Sequence, residues 1–305
     1  MSYWQMRRFV EGCTALAALM VSGCFATAPQ GTIPSLRDGA SQVLAGGSQF
    51  AVLYGKRDIE NQYRSAVFVR PYLPNTSSTQ KPARPQECSG VLLAPRLVLT
   101  AAHCLCQPRP AGNSLVIDGA GCAKEAVVEA FDAKPSADVE GEVEWSSKLY
   151  RGSIRPHPDL NIPFSSPDKA ILLGTADLAV IRLSKPVEGN IPVVGIADAE
   201  AQEGQDIIMV GYGFMGDGGR FGVRNFGESK VTQVLKLNER KFFVSQAGAH
   251  ILPGDSGGPC LSKKDRRLVG IAMLVGDFDG QLVSFFTNTY TYRTWLREEI
   301  RGAAL

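Results

Sequence analysis

From residue 52 onward the chain alternates between short apolar stretches and turn-forming residues. Ser65-Ala66-Val67-Phe68-Val69 begins the pattern as a short strand, and the Pro-, Ser- and Thr-rich stretch 71–85 reads as an exposed loop. Runs at 90–93 and 97–101 flank Ala94-Pro95-Arg96, which predicts a hairpin with the proline in its turn. Further strands are expected at 114–118, 125–131, 139–150 and 178–183, and in the second half at 207–211, 228–237, 242–245, 259–261, 268–274 and 282–287. A polar linker, 197–205, separates the halves. Only 290–300 breaks the alternation, because Tyr292, Trp295, Leu296 and Ile300 recur there at helical spacing and predict a terminal helix with one apolar face. Many short strands, a central linker and a terminal helix argue for an all-β chain of two packed antiparallel barrels, although the periodicity alone also fits a sandwich.

Composition adds bounds. The 305 residues exceed one typical domain, but barrel architectures run to roughly 200–250 residues as a unit. The net charge of +2 comes from interspersed signs with no basic block, so a nucleic-acid partner has no electrostatic footprint. At the N-terminus, Arg7 and Arg8 precede an apolar stretch, 13–21, followed by Ser22 and Gly23 before Cys24. The stretch is too short to span a bilayer as a helix and reads as a leader, 1–23. It resembles the lipobox of bacterial lipoproteins, with Cys24 as the lipidated residue, and an ordinary secretory signal cut nearby is the alternative. Either reading expects export from a bacterial cytoplasm, to the outer membrane or cell surface by a lipid anchor, or by secretion. Residues 24–51 are small and polar and read as a tether or pro-segment, leaving 52–305 as the folded domain, divided into 52–196 and 197–305.

Outside the leader and Cys24 five cysteines remain, enough for two disulfides in an oxidising compartment. Cys88 and Cys104 flank the predicted hairpin and are the expected pair; Cys106 with Cys122 would close the next loop. Cys260, in an apolar strand, is left over and expected to be buried and inert.

Three histidines occur, His103, His157 and His250. His103 follows an apolar strand beside Cys104, where a hydrogen-bonded turn residue is the plain alternative. Ser256 lies in Gly254-Asp255-Ser256-Gly257-Gly258-Pro259. Glycines crowd a serine where backbone N–H groups must be bared toward a developing negative oxygen, and those of Gly254 and Ser256 are the candidates. Gly257 and Gly258 are expected to leave room for a substrate backbone. A tight turn with an incidental serine is the duller reading. Asp177 sits at the mouth of an apolar strand, where it either caps the turn or orients an imidazole.

The strings LTAAHC, TADLAVIRL and GDSGGP, the order His, Asp, Ser, the Cys88 to Cys104 spacing, IRPHPD at 154–159 and the ending FFTNTYTYRTWL together resemble the chymotrypsin or trypsin-like serine peptidases, over about 52–300. The resemblance implies two packed six-stranded antiparallel β-barrels and serine endopeptidase activity on protein or peptide substrates, with no cofactor and no metal. It implies that His103 is general base and then acid, Asp177 its orienter, Ser256 the nucleophile, and Gly254 and Ser256 the oxyanion hole. His157 matches a surface position without catalytic duty. The family commonly matures by cleavage that frees an apolar amino terminus to pair with the aspartate before the nucleophile, here Asp255. Val52-Leu53-Tyr54-Gly55 is a divergent version of that start, and Phe50-Ala51 before it is not a basic cleavage site.

The pocket departs from trypsin. His250 falls where the base of the primary pocket is expected, Leu252 replaces a cysteine, Ser284 stands for a wall glycine, and Met273-Leu274-Val275 replaces the strand that holds the peptide. Without a carboxylate at the base, a preference for Arg or Lys loses its main electrostatic term. Small or medium apolar residues are expected instead, or acidic ones if His250 is protonated. The same drift motivates a rival, a catalytically inactive homologue serving as a surface binding module. An esterase is disfavoured by the missing order Ser, acid, His. No dinucleotide or P-loop string occurs, and three scattered histidines make no zinc site.

Overall fold

The apolar runs pair into antiparallel strands in the computed structural model, which describes residues 52–72, 87–135, 143–164, 174–213, 223–237, 239–244, 248–278 and 281–303. The leader, Cys24, the 24–51 segment, most of the 71–85 loop and positions 139–142 and 245 of two expected strands lie outside the described residues.

A two-residue strand, β1 (Lys56–Arg57), comes first. Strands β2 (Ala66–Tyr72), β3 (Cys88–Ala94) and β4 (Leu97–Thr100) follow, with the hairpin turn at Pro95-Arg96 as expected. Strands β5 (Arg109–Ala111), β6 (Ser114–Asp118) and the later β9 (Asn161–Phe164) form a small three-stranded sheet. Strands β7 (Glu125–Pro135), β8 (Val143–Pro156) and β10 (Ala179–Leu183) complete the first barrel, closed in the order β10-β4-β3-β2-β7-β8. All seven residues of β3 are buried, because one face lines the barrel and the other meets the second half; this is why 90–93 is a continuous apolar run rather than an alternating one.

The second half comprises β11 (Asp206–Gly211), β12 (Asn225–Lys230), β13 (Gln233–Leu237), β14 (Glu239–Val244), β15 (Pro259–Ser262), β16 (Leu268–Phe278) and β17 (Gln281–Asn288). Its sheet runs β1-β12-β11-β15-β16-β17-β14-β13. The run expected as one strand at 228–237 is two. Val231 donates to the Gln205 carbonyl at 3.0 Å and accepts from Gly204 N–H at 2.8 Å, so its main chain bonds the linker instead of the sheet. β12 then pairs β11 and β13 pairs β14. This broken run therefore joins the two ends of the sheet, giving a second barrel of six strand positions with β1 added outside. The fold is all-β, with one α-helix among the described residues, α1 (Arg293–Ala303).

On α1, Leu296 is buried as the pattern predicts, but so is Glu299, which the pattern does not mark. Its carboxylate receives Arg182 at 2.7 Å and Arg155 at 3.1 Å, from β10 and β8, and so fastens the helix to the first barrel.

A fully buried ion pair ties the segment before β2 to both halves. The Asp58 carboxylate accepts from Gln62 N–H at 2.8 Å, Tyr63 N–H at 2.9 Å and Arg224 Nε at 2.6 Å, with both charged side chains fully buried. Arg224 also donates to the Phe131 carbonyl at 3.1 Å, the Tyr212 hydroxyl at 3.2 Å and Asn61 Oδ1. A buried charge that loses its partner is far costlier than the intact pair is beneficial. Asp58→Ala is therefore expected to lower unfolding stability by about 3–5 kcal/mol in urea denaturation. Arg224→Met should cost less in that background than alone.

Candidate active site

Strand register brings two of the candidate residues together. β10 pairs antiparallel with β4, Ala179 opposite Thr100, so the residues preceding β10 lie beside those following β4. His103 occupies a 3-10 turn, Ala102–Cys104, just after β4, and Asp177 comes two residues before β10. Both are buried. Asp177 Oδ1 accepts from the His103 main-chain N–H at 2.9 Å and Oδ2 lies 2.7 Å from His103 Nδ1. A carboxylate can only accept, so the Nδ1 proton points to Asp177 and Nε2 is left as the basic nitrogen. The turn that delivers Asp177 is tight: Ala176 has φ 49°, in the left-handed region, and its N–H donates to the Tyr292 hydroxyl at 3.1 Å.

Ser256 sits in the loop entering β15. Cys104, disulfide-bonded to Cys88, lies between the two halves of the site, its sulfur 3.8 Å from His103 Nε2 and 3.7 Å from the Ser256 carbonyl oxygen. Those are contacts only, since a disulfide sulfur carries no proton. The Ser256 hydroxyl donates to the Met273 carbonyl at 3.2 Å and, among the described residues, makes no bond to His103. Around it the loop's main chain is bonded: Asp255 N–H to Leu252 O at 2.9 Å, Gly257 N–H to Ala272 O at 2.7 Å, Gly258 N–H to Asp255 O at 2.8 Å. The N–H groups of Gly254 and Ser256 have no acceptor among the described residues. Gly254 has φ 98°, a conformation that a side chain would strain.

The glycines after the serine have another role than the expected clearance for substrate. Gly257 has φ 83°, and a Cβ there would stand 2.1 Å from Thr100 Oγ1 and 2.2 Å from the Ser89 carbonyl oxygen; on Gly258 it would meet the Val210 carbonyl at 2.3 Å. Both are demanded by the loop's approach to the two barrels.

Asp255 is fully buried and points away from Ser256. Its carboxylate accepts from Leu252 N–H at 2.8 Å, Gly213 N–H at 2.8 Å and Val52 N–H at 3.0 Å. Val52 is itself buried, with φ 54°, an unusual conformation for a β-branched residue. A Cβ on Gly211 would lie 2.1 Å from Asp255 Oδ1, so the pocket accepts only glycine there. Burial pushes the Asp255 carboxyl up to about 6, against the opposing pull of the three N–H bonds.

Three of the pocket candidates also meet. His250 Nδ1 lies 3.1 Å from Ser284 Oγ, which accepts from Ile251 N–H at 3.2 Å, and Ser284 pairs across strands with Val275. His250, Ser284, Met273 and Val275 are all buried. His250 N–H donates to the Leu53 carbonyl at 3.1 Å, joining this region to the segment carrying Val52.

His157 corrects an expectation. It is buried rather than at the surface, edge-on to Tyr292 and Trp295 with ring centroids 5.0 and 4.7 Å away, and its Nδ1 accepts from Asp159 N–H at 3.1 Å. Burial lowers its pKa against the nearby Asp159 charge. The imidazole packs the helix instead of facing solvent. Cys106 pairs with Cys122, and Cys260 is a buried free thiol whose pKa burial raises. Among the described residues one grouping of potential metal ligands occurs, Cys88, His103 and Cys104, and its sulfurs are consumed by the disulfide.

Sequence reasoning missed Ser89, Thr100, Gly211 and Gly213, which shape the loop and the Asp255 pocket from outside the three motifs. The one signal that could have found any of them is a serine inside an otherwise apolar strand, after Cys88.

A carboxylate-oriented imidazole, a serine loop that meets the same Cys104 sulfur, and two unclaimed N–H groups, held between two β-barrels, are the features expected of a serine-type peptidase. Residues 88–271 match the trypsin-like peptidase domain, and the chain belongs to that family. It is similar to the vitellin-degrading protease of Bombyx mori, 25% identical over 236 residues that cover 72% of this chain and 78% of that protein. It is also similar to granzyme C of Mus musculus, 24% identical over 245 residues, 76% and 87% of the two chains. Among solved structures, the mouse brain serine protease neuropsin superposes with a TM-score of 0.55 at 21% identity, covering 81% of this chain and 98% of that one. A mutant of human heparin binding protein gives 0.53 at 18%, covering 81% and 96%. These two likenesses bear on the fold.

The raised Asp255 pKa has a signed consequence. Between its unfolded value near 3.8 and its folded value of about 6, the folded chain holds the extra proton, so this group's contribution to stability falls as pH rises through that window and is flat above it. Thermal melts of the intact chain should therefore show Asp255→Asn gaining on wild type from about pH 4 to pH 6, with no further change above about pH 7. A difference independent of pH would contradict this.

Proposed function

We propose that the chain is a serine endopeptidase acting through an acyl-enzyme, with His103, Asp177 and Ser256 as its triad. The observation that carries this reading is the pair of unclaimed N–H groups, Gly254 and Ser256, in the serine's own loop, which meets the same Cys104 sulfur as an imidazole whose Nδ1 is committed to Asp177. In the first step the Ser256 hydroxyl turns from Met273 O toward His103. Its oxygen attacks the scissile carbonyl carbon, its proton passes to Nε2, and the carbonyl π pair moves onto oxygen. That oxyanion is received by the two N–H donors, which act without reorganising. Collapse expels the amine, which takes the proton from Nε2, and leaves the acyl ester on Ser256. Water, deprotonated by the same nitrogen, then reverses the sequence and frees the acid.

The buried His250 and Ser284 favour a primary preference other than Arg or Lys, with small or medium apolar side chains first and acidic ones if His250 is protonated. Cleavage before Val52 is the proposed maturation step. It would replace a neutral N–H, 3.0 Å from Asp255, by an ammonium, supplying the charge that a desolvated carboxylate lacks, and would release the strained φ of Val52. Export is proposed from the leader's sequence, by a lipid on Cys24 or by secretion, with residues 24–51 a tether before cleavage at Val52 and a pro-segment released by it.

One observation favours a second reading, a non-catalytic binding module: the Ser256 hydroxyl is engaged by Met273 O and not by His103. The two readings part on a diverse peptide library digested by protein beginning at Val52. The peptidase reading expects cleavage that Ser256→Ala reduces by about 10⁴-fold or more, with products that report the pocket. Equal products from both proteins, or none in any processing state, would favour the module. N-terminal sequencing of active protein should begin at Val52; a start well before it would overturn the maturation step.

A further inference from the structure

We infer that Ser89 is a positioning residue for the oxyanion hole, a hydroxyl lent by the first barrel to hold the nucleophile loop of the second; this rests on the peptidase reading above. Ser89 is fully buried in β3. Its Oγ lies 2.9 Å from the Gly254 carbonyl oxygen and 2.9 Å from Tyr212 N. The direction of both bonds is fixed. Tyr212 N–H can only donate, so Oγ accepts from it, and the hydroxyl's single proton goes to Gly254 O, which can only accept.

Ser89 grips the loop twice. Its main-chain N–H donates to the Ser256 carbonyl at 2.8 Å, while its own carbonyl is held by Thr100 Oγ1 at 2.7 Å. The two bonds fall on either side of the peptide unit that carries the Ser256 N–H. The Gly254–Asp255 peptide is pinned at its oxygen by Ser89 and at its N–H by Leu252 O. The Ser256–Gly257 peptide is pinned at its oxygen by Ser89 and at its N–H by Ala272 O. Between them the Ser256 N–H is left without an acceptor; its own peptide is held at the oxygen by Gly258 N–H at 2.8 Å, and the pinned peptides on both sides complete the hold. Gly254, at φ 98°, has the backbone freedom to rotate once its carbonyl is released. The Ser89 hydroxyl therefore does what the N–H donors cannot do for themselves, which is to keep them aimed.

Ser89→Ala removes the hydroxyl and keeps the strand's main-chain bond to Ser256. The expected result is a loss of roughly 10- to 100-fold in the labelling rate of Ser256 by an aryl fluorophosphonate, less than the 10²–10³ for deleting a hole donor. With N-acetyl-alanine p-nitrophenyl ester the loss should fall on kcat, with KM within about twofold, because the hole acts on the transition state. Tyr150→Phe, which removes the hydroxyl that accepts from Glu188 N–H at 3.0 Å in β8, beyond the end of β10 opposite Asp177, serves as the stability control and should keep both rates. Wild-type labelling with an unchanged Ser89→Ala rate, a loss confined to KM, or an equal loss in the Tyr150→Phe control would overturn the inference and leave the peptidase reading standing. A wild type that never labels would overturn both.

Discussion

The Asp177 carboxylate takes hydrogen bonds from the main chain and the ring of one residue, His103, at 2.9 and 2.7 Å. That double hold leaves the imidazole one orientation and one tautomer, and the rest of the site is arranged about it. It depends on the pairing of β4 with β10, which places a histidine after one strand beside an aspartate before the other. It depends also on the Ala176 turn, kept in a left-handed conformation by the Tyr292 hydroxyl just before α1. Glu299, buried between Arg182 and Arg155, fixes that helix against the strand that follows Asp177. The C-terminal helix is thus linked to the Asp177 turn through named bonds.

A similar economy runs through the second half of the site. The nucleophile loop belongs to the second barrel, yet Ser89 and Thr100 of the first barrel set its approach, and the disulfide sulfur of Cys104 contacts both His103 and the Ser256 carbonyl. Beneath the loop, Asp255 is desolvated and bonded to three N–H groups, none of which carries a full charge. Three neutral donors oppose burial without overcoming it, which is why its carboxyl stays near 6. The cleavage proposed before Val52 would place a cation on one of these donors, 3.0 Å from the carboxylate.

Much of this is legible in the residues alone. The hairpin around Pro95, the terminal helix and both disulfides follow from local patterns, because a turn, a helical face and a short closed loop are decided by neighbouring residues. The three candidate residues of the proposed triad are legible from strings whose glycines and cysteines mark their surroundings. What local pattern cannot supply are bonds between distant segments. The break at Val231 depends on Gly204 and Gln205, Glu299 goes unmarked by the helical pattern and is buried beneath Arg182 and Arg155, and His157 is buried because Tyr292 and Trp295 cover it. Gly257 and Gly258 read as clearance for substrate, whereas Thr100, Ser89 and Val210 require them. Ser89 itself reads as a polar residue in an apolar strand.

The central claim is that an imidazole oriented by Asp177 activates Ser256, and acid-quench mass spectrometry with N-acetyl-alanine p-nitrophenyl ester tests it most directly. The N-acetyl-alanyl mass should be found on the peptide containing Ser256 in the wild type, and should not form at a measurable rate in His103→Ala. Ester turnover with no acyl group on Ser256, or with that group on another residue, would contradict the account.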